Sequence, residues 1–132
     1  MTFSVLIAHY NNYQFFLECY KSLKKQTITN FEIVIVDDCS TDDSFEKIKL
    51  ITKDDSRVKI YQNEKNNGVG YTKKKCVNLA NGDICGFLDP DDALLPDAIE
   101  SLLKIYENSQ IVAAYSEFYL CDEHLNIQKK FP

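Results

Sequence analysis

The chain has 132 residues, 45% of them hydrophobic and 27% charged, with 4 glycines and 3 prolines; this supports one compact domain, leaves no room for a second complete one and excludes disorder. No apolar run approaches the roughly 20 residues that a membrane span needs, and Met1 to Tyr10 lacks the basic start and cleavage site of a secretory leader, so a cytoplasmic protein is expected. The formal net charge of −5 disfavours nucleic acid as a partner and requires a cation between the protein and any anionic diphosphate it binds.

Phe3 to Ala8 is a short apolar run ending in His9, Asn11 and Asn12, which reads as a buried strand and its loop. From Tyr13 to Gln26, Phe16, Cys19 or Tyr20, and Leu23 recur at helical spacing, with Asn12 as the expected cap. Phe31 to Val36, broken only by Glu32, predicts a strand covered on both faces and stops at Asp37-Asp38. Ser40 and Thr41 are the expected caps of a helix from Asp42 to about Lys53. Val58 to Tyr61 predicts a third strand, and Asn66-Asn67-Gly68 a loop before a helix ending at Asn81-Gly82. Ile84 to Leu88 predicts a fourth strand. After Asp89 to Asp92, Pro96 suits the first turn of a helix striped by Ile99, Leu102, Leu103 and Tyr106. Ile111 to Leu120 is rich in β-formers and predicts a fifth strand; Asp122 to Asn126 predicts a turn and Ile127 to Lys130 a return strand.

This alternation implies an α/β fold: a Rossmann-like, mainly parallel sheet with helices on both faces. Ligands of such sheets bind beyond the carboxyl ends of the strands, here the loops Ala8 to Asn12, Asp37 to Thr41 and Asp89 to Asp92. Cys19, Cys39, Cys76, Cys85 and Cys121 are widely spaced, odd in number and without a Cys-x-x-Cys, so reduced thiols are expected rather than disulfides or a zinc site. Two acidic clusters follow strands, where like charges need a cation or hydrogen-bonding ligand. Asp89 and Asp91, flanking Pro90, are hard oxygen donors suited to Mn²⁺ or Mg²⁺ shared with phosphate. An isolated Asp-x-Asp is more often a loop that caps a helix; the neighbouring clusters shift the balance here. A carboxylate of Asp37-Asp38 can accept the imide N–H of a uracil. Lys73, Lys74 and Lys75 read first as a solvated helix face, with one lysine in reach of a phosphate. His9 reads equally as a loop residue or a ligand.

The series Ser4-Val5-Leu6-Ile7-Ala8-His9-Tyr10-Asn11-Asn12, Ile35-Val36-Asp37-Asp38-Cys39-Ser40-Thr41-Asp42, Asn66-Asn67-Gly68, Ala80-Asn81-Gly82-Asp83 and Gly86-Phe87-Leu88-Asp89-Pro90-Asp91-Asp92 resembles the family 2 glycosyltransferases. The resemblance, from Phe3 to about Lys130, implies a GT-A fold and transfer of a sugar from a nucleotide diphosphate, usually UDP-linked, to an acceptor hydroxyl on a glycan or lipid-linked acceptor. It implies a sugar-nucleotide site of Ala8, Tyr10, Asn11, Asp38, Gly68, Lys73, Asp89 and Asp91. Ala8 and Tyr10 would border the base, Asp38 bind the uracil imide, Asp89 lie near the ribose, and Asp91, with Asp89, hold the metal. Two positions depart from the family pattern: Ala8-His9 replaces Pro or Thr followed by a small polar residue, and Thr72-Lys73-Lys74 replaces Ala-Arg-Asn, making Lys73 the substitute for a phosphate-side arginine.

The resemblance places the general base on a later strand and loop, so these residues, one GT-A-type domain, are expected to bind the sugar nucleotide and to lack the acceptor side. Glu117, within a predicted strand, is expected to face solvent or pair with a lysine. The competing reading is a receiver-like, Mg²⁺-binding signalling module, but a receiver carries its acidic pair after the first strand, not the second. A phosphatase would place Asp-x-Asp on the first strand, and a dehydrogenase would need a Gly-x-Gly-x-x-Gly that is absent.

Overall fold

Alternation inside the first apolar run decides the architecture. In strand β1 (Phe3–His9), Phe3, Val5 and Ile7 point into one core and Leu6 into another, and in β2 (Phe31–Asp37) Ile33 and Ile35 join the first while Val34 and Val36 join the second. Both strands are therefore covered on two sides, and each fully buried aliphatic side chain contributes about 1.5–3 kcal/mol. The computed structural model describes residues 1–108 and 110–131. Helices α1 (Tyr13–Lys24), α2 (Ser44–Thr52) and α4 (Ala98–Tyr106) supply Phe16, Cys19, Leu23, Ile48 and Ile99 to the larger core; α3 (Val69–Leu79) closes the other face with Cys76.

With β3 (Val58–Gln62) and β4 (Ile84–Phe87), the sheet runs β3-β2-β1-β4, all parallel. Because β1 lies between β2 and β4, the loops bearing Asp38 and Asp89 to Asp92 leave the sheet on either side of the loop that follows β1. No helix among the described residues is long and apolar enough to cross a membrane, and all five cysteines are free thiols. Burial pushes the Cys19 thiol up to about 12, helped by the charges of Asp92, Asp91 and Asp89, which leaves it unreactive.

Three local expectations are corrected. Only Phe118–Cys121 (β5) of the run from Ile111 to Leu120 is a strand, paired antiparallel with β6 (Ile127–Phe131) in a separate hairpin; residues 111–117 form no regular structure, and Val112 and Tyr115 are 93% and 97% exposed. β propensity without a partner strand does not make a strand. Asn12 precedes α1, yet its side chain makes no capping bond. Ser40 and Thr41 do not cap α2, which starts at Ser44 after Asp43, because Ser40 is engaged with nearby Asp37 and both are engaged across the chain with Asn11.

At the amino ends of the strands, Glu32 fastens the sheet. Its carboxylate accepts from Ser4 Oγ, from the backbone N–H of Asn81 and Gly82, and from Lys59 Nζ at 2.8 Å. Burial alone would push this carboxyl up, but hydrogen bonds from Lys59, Ser4 and Asn81 outweigh it and hold it at about 2. A Cβ at Gly82 would stand 2.3 Å from Ser4 Oγ and 2.9 Å from backbone atoms of Thr2 and Ser4, so only glycine admits this approach. Because the Glu32 carboxyl falls from 4.5 to about 2 on folding, its stabilisation is complete above 4.5 and disappears as pH falls through that window. Urea unfolding should show Glu32→Gln less stable than wild type by about 1–3 kcal/mol at neutral pH, with the gap narrowing as the solution is acidified towards pH 2; a gap independent of pH would assign the effect to packing.

Candidate functional site

Asp37 and Asp38 are adjacent, buried and differently used. Asp37 accepts four hydrogen bonds: His9 Nδ1 at 2.9 Å, Ser40 Oγ at 2.5 Å, Ser40 N–H at 2.8 Å and Gln62 Nε2 at 3.0 Å. Since His9 Nε2 accepts the Asn12 N–H at 3.2 Å, Nδ1 carries the proton, and the imidazole is satisfied on both nitrogens. Burial pushes the Asp37 carboxyl up, but His9, Ser40 and Gln62 together hold it below its ordinary range. Asp37 thus has no acceptor position left for a ligand, and His9 serves the loop.

Asp38, 4% exposed, accepts Asn63 Nδ2, Asn67 N–H and Gly68 N–H, each at 2.8 Å. Gly68 has φ +87°, a conformation that glycine adopts without strain and that turns its N–H onto the carboxylate. Asp38 lines a cavity of about 240 Å³ with Ala8, His9, Tyr10, Asn66, Gly68, Val69 and Thr72. The structure therefore brings together Ala8, Tyr10, Asp38 and Gly68. Asn11 stands outside this group and binds a neighbouring loop. Its Oδ1 accepts the Thr41 N–H at 2.8 Å and the Asp42 N–H at 3.3 Å, and its Nδ2 donates to Thr41 Oγ1 at 2.9 Å. It clips the loop after β1 to the loop after β2.

Beyond β4, Lys73 on α3 pairs with Asp89 at 2.8 Å and lies 5.4 Å from the centre of the Phe87 ring. Lys73 follows Thr72, a wall of the cavity, so one turn of α3 touches both the Asp38 and Asp89 ends. Lys75 donates to Asn63 and Lys74 is exposed, so two of the three lysines are engaged rather than solvated. Asp89, Asp91 and Asp92 are exposed; partial desolvation, then the charges of Asp91 and Asp89, raise the Asp92 carboxyl. No group of three or more His, Cys, Asp or Glu among the described residues is placed to hold a metal. A pair of hard carboxylates with spare negative charge fits a divalent cation that takes its remaining ligands from phosphate oxygens and water.

Over residues 4–130 the chain matches the family described as "Glycosyl transferase family 2". The chain belongs to this family. It is 37% identical over 131 residues to an uncharacterised glycosyltransferase of Methanocaldococcus jannaschii, covering 97% of this chain and 45% of that protein. It is 38% identical over 110 residues to chondroitin synthase of Escherichia coli, covering 83% of this chain and 16% of that protein. The crystal structure of S. aureus TarS 1-349 in complex with UDP-GlcNAc superposes with a TM-score of 0.77 at 29% identity, covering 83% of this chain and 32% of that one. The chain thus spans less than half the length of these family 2 relatives.

In this family 2 chain the segment that follows the Asp89 to Asp92 loop is held by Ser22 on α1 and by Gln26 just past its end. Ser22 Oγ accepts the Leu94 N–H at 3.1 Å, Gln26 Nε2 donates to the Leu95 carbonyl at 2.8 Å, and Gln26 Oε1 accepts the Ile99 N–H at 3.1 Å. Sequence reasoning missed Ser22, Gln26 and Asn63; single polar residues on an apolar helix face or after a short strand carry no periodic signal. Two of the acidic residues after this loop are engaged elsewhere: Glu100 with Thr27 and Lys104, and Glu117 with Lys130, as expected for Glu117. Asp37→Asn should lower unfolding stability by at least about 2 kcal/mol, because an amide cannot accept all four buried donors, whereas Asp91→Asn, on an exposed side chain, should stay within about 0.5 kcal/mol of wild type in the same denaturant titration.

Proposed function

We propose that the chain is a single GT-A-type domain that binds a UDP-linked sugar, with Mn²⁺ or Mg²⁺ shared between Asp91, Asp89 and the diphosphate. In the whole enzyme the sugar would pass to a hydroxyl of a glycan or lipid-linked acceptor. The observation that carries this reading is the contrast at the end of β2: Asp37 is saturated, whereas Asp38 keeps one acceptor position and lines the cavity. An imide N–H is the donor that this position suits. Ala8 and Tyr10 would border the base, and Gly68 holds Asp38 in place. Asn11 acts through the loop it clips. Lys73, already beside Asp89, supplies positive charge on the diphosphate side.

A divalent cation held by Asp91 and Asp89 would neutralise the diphosphate and so stabilise it as a leaving group. Asp91 can raise diphosphate affinity only through such a cation, since carboxylate and phosphate repel directly. The TarS structure with UDP-GlcNAc supports the choice of a uridine nucleotide. Calorimetric titration of UDP should show binding that Mn²⁺ tightens by about tenfold or more. In Asp91→Ala the Mn²⁺ enhancement should vanish while metal-free UDP binding persists, and in Asp38→Ala binding should weaken with and without metal. Undiminished enhancement in Asp91→Ala would move the cation to another site; no UDP binding by wild type would sink the reading.

A further inference from the structure

A carboxylate oxygen offers two acceptor positions, and the two oxygens of Asp38 are unequally filled. Oδ1 takes both Asn63 Nδ2 and the Asn67 N–H, while Oδ2 takes the Gly68 N–H; the Thr72 hydroxyl also lies against the carboxylate, but its proton goes to the Gly68 carbonyl at 2.9 Å. Two of these donors are backbone groups and come with the path of the loop. The third is a side chain, and so is set by the choice of residue at position 63.

Asn63 is 3% exposed, and its amide could in principle turn either end towards Asp38. Two contacts decide the orientation. Lys75 Nζ lies 2.9 Å from Asn63 Oδ1 and can only donate, so oxygen must face it. Thr72 Oγ1 donates to the Gly68 carbonyl at 2.9 Å and therefore accepts from Asn63 Nδ2 at 3.1 Å. Nδ2 is thereby fixed on Asp38, and one open position remains, on Oδ2.

We propose that Asn63, oriented by Lys75, is a specificity-determining positioning residue that restricts Asp38 to one ring N–H, so that the site selects a uracil imide against a guanine. The inference rests on the reading of this cavity as the base site. Guanine presents N1–H and the exocyclic N2–H side by side and pairs with a carboxylate through both oxygens. With Oδ1 filled, its second N–H would meet the amide hydrogens of Asn63 and Asn67 and be left unpaired. Uracil has a single N–H and needs only the position that is open. A site that leaves a polar group of the wrong ligand unpaired rejects it far more strongly than one that merely fits it loosely.

The test is calorimetric titration of UDP and of GDP, both with Mn²⁺, into wild type, Asn63→Ala, Lys75→Met and Lys75→Arg. Wild type should favour UDP. Asn63→Ala, which opens a position on Oδ1, should reduce the UDP-to-GDP affinity ratio by about tenfold, the effect of one charge-assisted hydrogen bond. Lys75→Met, which releases the amide, should reduce it by about threefold, and Lys75→Arg should retain it. The ratio is the informative readout, because a merely structural defect weakens both nucleotides together. If Asn63→Ala fails to fold by circular dichroism, Lys75→Met, altered at a partly exposed side chain, carries the test. An unchanged ratio in the folded variants, with UDP still preferred by wild type, overturns this inference alone. Equal binding of UDP and GDP by wild type also overturns it, and binding of neither overturns it together with the base-site reading.

Discussion

Two adjacent carboxylates cannot lie buried at the end of one strand unless hydrogen bonds replace the water they lose. At the end of β2 those bonds come from distant parts of the chain. His9 at the end of β1 and Gln62 at the end of β3 converge on Asp37, joined by the nearby Ser40; Asn63, Asn67 and Gly68 before α3 converge on Asp38. The loops at the carboxyl edge of the sheet are thus held in place by the same charges that shape the cavity. Burial pushes both carboxyls up, and the hydrogen bonds hold both below their ordinary range, so the network is formed from ionised groups and is correspondingly strong.

The end of β4 is built on the opposite principle. Asp89, Asp91 and Asp92 gather negative charge at the surface with Lys73 as the cation beside them, and partial desolvation, then the charges of Asp91 and Asp89, raise the Asp92 carboxyl. The segment that follows this loop is fixed at Leu94, Leu95 and Ile99, through Ser22 on α1 and Gln26 just past its end. Lys73 and Thr72, neighbours on α3, join the two ends mechanically. A shift of α3 would therefore be felt by both acidic clusters.

Much of the architecture was legible in the chain itself. Phe3 to Ala8 and Phe31 to Val36 are apolar enough to be read as strands covered on both faces, the helices between them show helical spacing, and the rule that ligands bind beyond strand ends pointed to the three loops that surround the cavity and the acidic cluster. The resemblance carried by the ordered motifs grouped Ala8, Tyr10, Asn11, Asp38, Gly68, Lys73, Asp89 and Asp91; of these, Ala8, Tyr10, Asp38 and Gly68 line one cavity, and the other four are not part of its lining. Such signals are local: each is carried by a run of neighbouring residues whose period or turn chemistry reflects how that segment is buried.

Composition and periodicity alone did not separate Asp37 from Asp38; the family resemblance singled out Asp38, and the physical reason lies in partners about 25 to 30 residues away, at His9, Gln62, Asn63, Asn67 and Gly68. For the same reason Ser40 and Thr41, sound helix caps by their position, are drawn to Asn11 instead, and residues 111–117, β-rich in composition, find no strand to pair with. The order of the elements, and which loops gather at the carboxyl edge of the sheet, could be read from the chain, since burial on a strand or helix is written in its own residues. Only the tertiary structure decided which acceptor positions those loops leave open, since that depends on donors brought together from separate elements.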